Sequence, residues 1–176
     1  MVILIGGASH TGKTLLAQRL LEKHHWPYLS MDHLKMGLIR SGQTALTPMD
    51  DDKLTDYLWP IVREIIKTAI ENGQDLTVEG CYIPVDWEGD FPEGYRRHIR
   101  CCFLIMSQGY IRRHFDRIRD YAGAIESRLD DSGLSMEELI RENGAYLEQC
   151  RGKGIHHILL EDDYRIDLDK VTGDRS

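Results

Sequence analysis

The chain predicts an α/β fold, a three-layer sandwich in which helices cover both faces of a five-stranded parallel sheet. Three observations carry this. Short apolar runs at 2–5, 28–30, 76–78, 101–106 and 155–160 recur between stretches of helical periodicity, and such alternation specifies parallel strands joined by helical crossovers. The first run, Val2-Ile3-Leu4-Ile5, passes through a glycine-bearing loop straight into Leu15, Leu16, Ala17, Leu20 and Leu21 at helical spacing. The length of 176 residues suits one domain with a real core, spanning 1–176, and makes a second domain unnecessary.

The loop after the first strand reads Gly7-Ala8-Ser9-His10-Thr11-Gly12-Lys13-Thr14, which fills every fixed position of the pattern G-x-x-x-x-G-K-[ST]. Only a backbone without an intruding Cβ lets a polyphosphate approach this closely, so Gly7 and Gly12 allow the chain to curl with its N–H groups inward. Ala8, Ser9, His10 and Thr11 take part through their backbone amides. The helix that begins near Lys13 adds unpaired N–H groups and the positive end of its dipole. Lys13 is the mobile cation for the β- and γ-phosphates, and the Thr14 hydroxyl is the expected Mg²⁺ ligand. A glycine turn that merely joins strand to helix is the bland alternative, and the strand and helix on either side favour the phosphate loop.

The second strand, Tyr28–Ser30, runs on into Met31 and Asp32 at the rim where parallel sheets bind ligands. Transfer of a phosphoryl group to a hydroxyl needs a carboxylate that orients the hydroxyl and takes its proton, a role open to Asp32. Asp32 also suits the cap of a helix begun by His33, and the two roles are compatible. Lys35 and Arg40 follow on that helix, as holders of an anionic acceptor or as solvated surface charges. A further helix is expected from Thr47-Pro48-Met49-Asp50, with Thr47 as cap, to a stop at Asn72-Gly73, kinked by Pro60. Residues 33–72 thus form the acceptor side.

The third strand, Leu76–Val78, delivers Glu79 to the same rim, followed by Gly80. An acid closing an apolar run needs a partner to offset its desolvation. A Mg²⁺ site or an acceptor hydroxyl would supply one, and capping a turn is the alternative. After the fourth strand, Ile111, Phe115, Ile118, Ala122 and Ile125 define an amphipathic helix over about 108–126 with a basic outer face. Arg113 and Arg117 stand one turn apart on it, where like charges repel unless an anion lies between them. They form a phosphate clamp of the arginine-finger kind, or Asp116 and Asp120 neutralise them as a solvated face. Arg112, Arg119 and Arg128 are weaker candidates. The segment 122–135, with Gly123 and Gly133, completes an arginine-rich lid region over about 108–135. Ser135-Met-Glu-Glu138 caps a last long helix ending before Gly152 or Gly154. The acidic loop Glu161-Asp162-Asp163-Tyr164 either grips an adenine or is solvated.

Composition narrows the function. With 22 basic against 29 acidic residues the net charge is −7, the wrong sign for a nucleic-acid partner. No stretch is apolar enough to span a membrane, and the strand at residues 2–5 leaves no room for a signal peptide. Cys81, Cys101, Cys102 and Cys150 lack metal spacing and read as reduced thiols of a cytoplasmic protein, with Cys101 and Cys102 on opposite faces of a strand. The doublets His24-His25 and His156-His157 read as structural, and Trp26, Trp59 and Trp87 as core or acceptor-pocket wall.

On the loop Gly7–Thr14, with Asp32, Glu79-Gly80 and the arginine helix in support, the chain resembles the small P-loop kinases. These are the nucleoside-monophosphate and shikimate kinases, chloramphenicol phosphotransferase, the zeta-toxin group and 2-phosphoglycerate kinase-like proteins. The resemblance implies the P-loop kinase fold with a small lid, ATP and Mg²⁺ as cofactors, Asp32 binding or deprotonating the acceptor, and Arg113 or Arg117 meeting the phosphates. The chain lacks the zinc lid and nucleotide-acceptor motif of the nucleoside-monophosphate kinases. The expected activity is therefore ATP-dependent phosphorylation of a small hydroxylated or phosphorylated metabolite. A nucleotide-binding switch or slow NTPase that signals to a protein partner is one alternative, although no Asn-Lys-x-Asp sequence supports a guanine version. A toxin-like sugar-nucleotide kinase is the other.

Overall fold

The computed structural model describes residues 1–121 and 134–173. In chain order the elements are β1 (Val2–Gly6), α1 (Lys13–His24), β2 (Tyr28–Ser30), α2 (Met31–Arg40), α3 (Asp51–Glu71), β3 (Leu76–Glu79), α4 (Glu93–Arg96), β4 (Ile99–Met106), α5 (Gln108–Tyr121), α6 (Met136–Lys153), β5 (His157–Leu160) and α7 (Leu168–Thr172). The strands form one sheet in the order β2-β3-β1-β4-β5, every neighbouring pair parallel. The chain leaves β1 toward β2 and later crosses to the other side at β4. That reversal opens a crevice beyond the carboxyl end of β1, the place where open α/β sheets take their ligands.

Side chains of β1 alternate between two cores, which is why all five of its residues are buried. Val2 and Leu4 join Val78, Phe103 and Ile105 under α3, with Leu54, Leu58, Val62 and Ile66, and Cys150 of α6. Ile3 and Ile5 join Cys102 and Leu104 under α1, with Leu16, Ala17 and Leu20, and Val171 of α7. Helices therefore cover both faces, as the run pattern requires. Cys101 packs against the first core and Cys102 lies within the second, as adjacency on a strand dictates. Trp59 and Trp87 are core residues and Trp26 is partly buried.

Several boundaries differ from expectation for local reasons. β2 ends at Ser30 and α2 already begins at Met31, so Asp32 stands in the first turn of α2 and does not cap a helix begun by His33. The 47–50 segment forms a turn, not the first turn of α3. The Asp50 carboxylate accepts both the Thr47 N–H and hydroxyl, at 2.9 and 2.8 Å, and the helix starts one residue later. α3 continues through Pro60. β5 begins at His157 because the Ile155 N–H bonds back to the Cys150 carbonyl and closes α6 around the left-handed Gly154. Ser135 caps α6 by accepting the Glu138 N–H. The α5 stripe Ile111, Phe115 and Ile118 packs against α6 and β5. Ala122, Ile125, Arg128 and the rest of the 122–133 part of the expected lid lie outside the described residues. Among those described, no helix is long and apolar enough to cross a membrane.

Candidate functional site

The loop between β1 and α1 is held in shape by close backbone packing. Gly7 has φ 127°, and a Cβ there would lie 2.2 Å from the Leu104 carbonyl oxygen. Gly12 has φ 85°, and a Cβ there would strike the Tyr164 ring at 2.6 Å. No L side chain fits at either position, so both glycines are required by conformation and by space. His10 also adopts a positive φ of 64°, the kind of left-handed kink that turns successive amides toward one concave side.

Inside this loop the Ala8 carbonyl accepts the Lys13 ammonium at 2.6 Å and the Thr11 hydroxyl at 3.0 Å. Lys13 can thus leave for a phosphate without stranding the carbonyl, which keeps Thr11. Lys13 is 6% exposed and Glu79 2%. Opposite the loop, β3 pairs with both β1 and β2, and its register sets Glu79 beside Ile5 and Ser30. The Thr14 hydroxyl donates to Glu79 Oε1 at 3.3 Å. A hydroxyl and a buried carboxylate at the phosphate loop make an all-oxygen donor pair suited to a hard divalent cation.

A cavity of about 650 Å³ opens at this rim, and His10 through Leu15, Arg19, Asp32, Glu79, Arg117 and Tyr164 all line it. Gly7, Ala8 and Ser9 are not among its lining residues. The structure separates the two arginines that helical spacing left equivalent. Arg117 lines the cavity. Arg113 turns to the loop after β5, where it donates to the Glu161 carbonyl and, at 3.1 Å, to Asp162 Oδ1. His114 meets the Asp162 carbonyl at 3.1 Å, so α5 holds that loop at two points. Arg119 pairs with Asp116 at 3.1 Å. Arg40 is exposed at the end of α2 and does not line the cavity, and Lys35 is engaged beside Asp32, with 2.6 Å from its ammonium to Asp32 Oδ1.

Tyr164 ties the loop after β5 to the phosphate loop. Its hydroxyl donates to the Gly12 carbonyl at 2.6 Å, and the Arg19 guanidinium lies 5.3 Å from its ring centroid. Burial pushes its phenol up, with Arg19 pulling in the opposite sense, so the group stays a protonated donor. Met106, Tyr110, Ile118 and Leu160 add apolar lining to the cavity. Sequence reading had no means of finding Arg19 or the Tyr164 clasp, because 152 residues separate Tyr164 from Gly12. Tyr82 was also missed; its only signal is its position just after Glu79-Gly80.

Solved structures share this architecture at low identity. A protein of Chloroflexus aurantiacus J-10-fl, described as a candidate kinase, is 18% identical with a TM-score of 0.58 over 98% of this chain and 94% of that one. Shikimate kinase from Bacteroides thetaiotaomicron is 15% identical with a TM-score of 0.58 over 98% of this chain and 93% of that one. Deoxyadenosine kinase from M. mycoides, solved with dCMP and dCDP, is 12% identical with a TM-score of 0.55 over 98% of this chain and 95% of that one. No protein-family model and no curated protein sequence matches the chain. Strand order, phosphate loop and solved neighbours agree on one architecture: this chain has the P-loop kinase fold.

Proposed function

We propose that the chain is an ATP-dependent phosphotransferase that moves the γ-phosphoryl group to a hydroxyl of a small metabolite. One observation carries this reading: a single cavity is lined at once by the phosphate loop, Asp32, Glu79 and Arg117. The loop amides and Lys13 receive the phosphates. Thr14 and Glu79 would hold Mg²⁺, which when bound neutralises charge shared between the β- and γ-phosphates. The acceptor oxygen forms a bond to the γ-phosphorus as the bond to the bridging oxygen breaks. ADP departs with that electron pair, and the hydroxyl proton passes to the Asp32 carboxylate. Arg117 meets the charge on the transferring group. Solved neighbours that act as kinases on small molecules support the reading through the fold they share. A single domain in the cytoplasm fits it.

The test is acceptor-stimulated ADP release with Mg·ATP across a metabolite panel. Lys13→Ala is expected to abolish turnover. Asp32→Asn is expected to lower kcat by roughly a hundredfold or more while ATP still binds. An Asp32→Asn enzyme with undiminished kcat at saturating acceptor removes Asp32 from the mechanism. Absence of ATP binding in calorimetry with magnesium removes the function.

A further inference from the structure

On the phosphotransferase reading Asp32 must be aimed as well as present, because a reacting group displaced by about 1 Å can lose roughly a hundredfold in rate. Asp32 lies in the first turn of α2 and lines the cavity, whereas Lys35, one turn later, does not. The Lys35 ammonium donates to Asp32 Oδ1 at 2.6 Å and to the Tyr82 hydroxyl at 3.0 Å. That hydroxyl has one proton, and it goes to Asp51 Oδ1 at 2.9 Å. Its oxygen is thereby turned to accept from Lys35. Burial first, and the Asp51 charge next, push the Tyr82 phenol up, so the hydroxyl keeps the proton that this arrangement needs.

Tyr82 is a fixed post. It is buried, and the loop that carries it is tied on two sides. A Cβ on Gly80 would lie 2.7 Å from the Met31 side chain, so the loop runs directly against the first residue of α2. The Cys81 carbonyl accepts the Tyr146 hydroxyl of α6 at 3.0 Å. Asp51, which receives the Tyr82 proton, is the first residue of α3. A run of contacts thus leads from α3 and α6 through Tyr82 and Lys35 to Asp32.

A lysine three residues from an aspartate on a helix is ordinarily a solvated pair that fixes little. Lys53 and Asp50 have that spacing, and the Lys53 side chain is 72% exposed. The Lys35 side chain is only 13% exposed, and Tyr82 gives its ammonium a second polar partner. Burying an ammonium and freezing its long stem both cost free energy, which the two partners offset.

We propose that Lys35 is a positioning residue for the phosphoryl transfer, held by Tyr82 and Asp51 so that it fixes the Asp32 carboxylate at the cavity wall. Lys35 exchanges no proton in the step written above. Lys13, Glu79 and Arg117 share the cavity wall with Asp32, and Asp51 stands behind Tyr82. Those charges remain when Lys35 alone is replaced, so a change at Asp32 reports on Lys35.

The experiment replaces Lys35 by methionine, which keeps the length of the side chain without its charge. In the nucleotide-free protein the carboxyl carbon of Asp32 is followed by NMR, its resonance assigned through its loss in Asp32→Asn. It is expected to titrate at higher pH in Lys35→Met than in the parent, since a neighbouring ammonium favours the ionised form. Kinetics use Mg·ATP and the fastest acceptor in a panel of sugars, nucleosides and hydroxy acids. Lys35→Met is expected to lower kcat about tenfold or more and to leave the Mg·ATP dissociation constant unchanged. Lys35→Arg, which keeps the charge, is expected to recover most of that loss, and Tyr82→Phe to lose several-fold. Melting midpoints serve as the folding control. The double variant Asp32→Asn, Lys35→Met is expected to be no slower than Asp32→Asn alone, because Lys35 acts through Asp32. Losses that multiply in the double variant, or an Asp32 titration that Lys35→Met leaves unmoved, overturn the positioning role while leaving the phosphotransferase standing. A panel in which no member releases ADP although calorimetry shows Mg·ATP bound overturns both.

Discussion

Two arginines one helical turn apart in α5 have different surroundings because of what the chain places opposite each. Arg113 is held by a backbone carbonyl and by Asp162, whereas Arg117 lines the phosphate-loop cavity. Arg117→Ala is therefore expected to lower kcat on the order of a thousandfold, as for arginines that meet a transferring phosphoryl group. Arg113→Ala is expected to act on the loop after β5, weakening ATP affinity more than kcat. Steady-state kinetics that show the reverse split would exchange the two roles. Spacing alone could not assign them, since a helix face is known from sequence but the loop that meets it is not. The phosphate loop was legible for the converse reason: its determinants are local, and Gly7 and Gly12 announce the backbone shape before any partner is known.

Helix ends show the same division between local and distant causes. Ser135 and Gly154 bound α6 as their residue types lead one to expect. At the start of α3, the Asp50 carboxylate accepts both the Thr47 N–H and the Thr47 hydroxyl, which closes residues 47–50 into a turn ahead of the helix. The Thr47 N–H, then its hydroxyl, then Lys53 lower the Asp50 carboxyl from 3.8 to about 2. A depressed carboxyl stabilises the folded state above its unfolded value and loses that contribution as pH falls through the folded one. Asp50→Asn should accordingly lower the melting midpoint at pH 7, and the gap from the parent protein should close near pH 2. A gap that persists in acid would mean that Asp50 acts through something other than its charge. Asn143 could not be read this way. It is buried in α6, accepts the Met106 N–H at 2.8 Å, and donates to the Leu139 carbonyl at 2.8 Å, so it secures the end of β4 from 37 residues away.

Across the whole molecule the alternation of apolar runs was sufficient to place all five strands in one parallel sheet, because strands buried on both faces advertise themselves by composition. Contacts that finish the site were hidden, since Tyr164 on Gly12, Tyr82 on Asp51 and Thr14 on Glu79 each join residues far apart in sequence. A ligand that binds only where these segments converge should stabilise them together. Mg·ATP at a hundred times its dissociation constant is expected to add about 2.7 kcal/mol, visible as a raised melting midpoint. ATP with EDTA should give a smaller rise if Thr14 and Glu79 hold the cation. An identical midpoint with and without nucleotide would refute the coupling.

The central position of β1 has a consequence for biosynthesis. Among the strands it is translated first, yet its hydrogen-bonding neighbours are β3 and β4. A nascent polypeptide emerging from the ribosome therefore carries a water-shunning segment with both edges open until residues 76–79 and 99–103 have followed it. The tyrosine that fastens Gly12 arrives later still, so the glycine loop, although it directly follows β1, is not fastened until the segment after β5 has emerged.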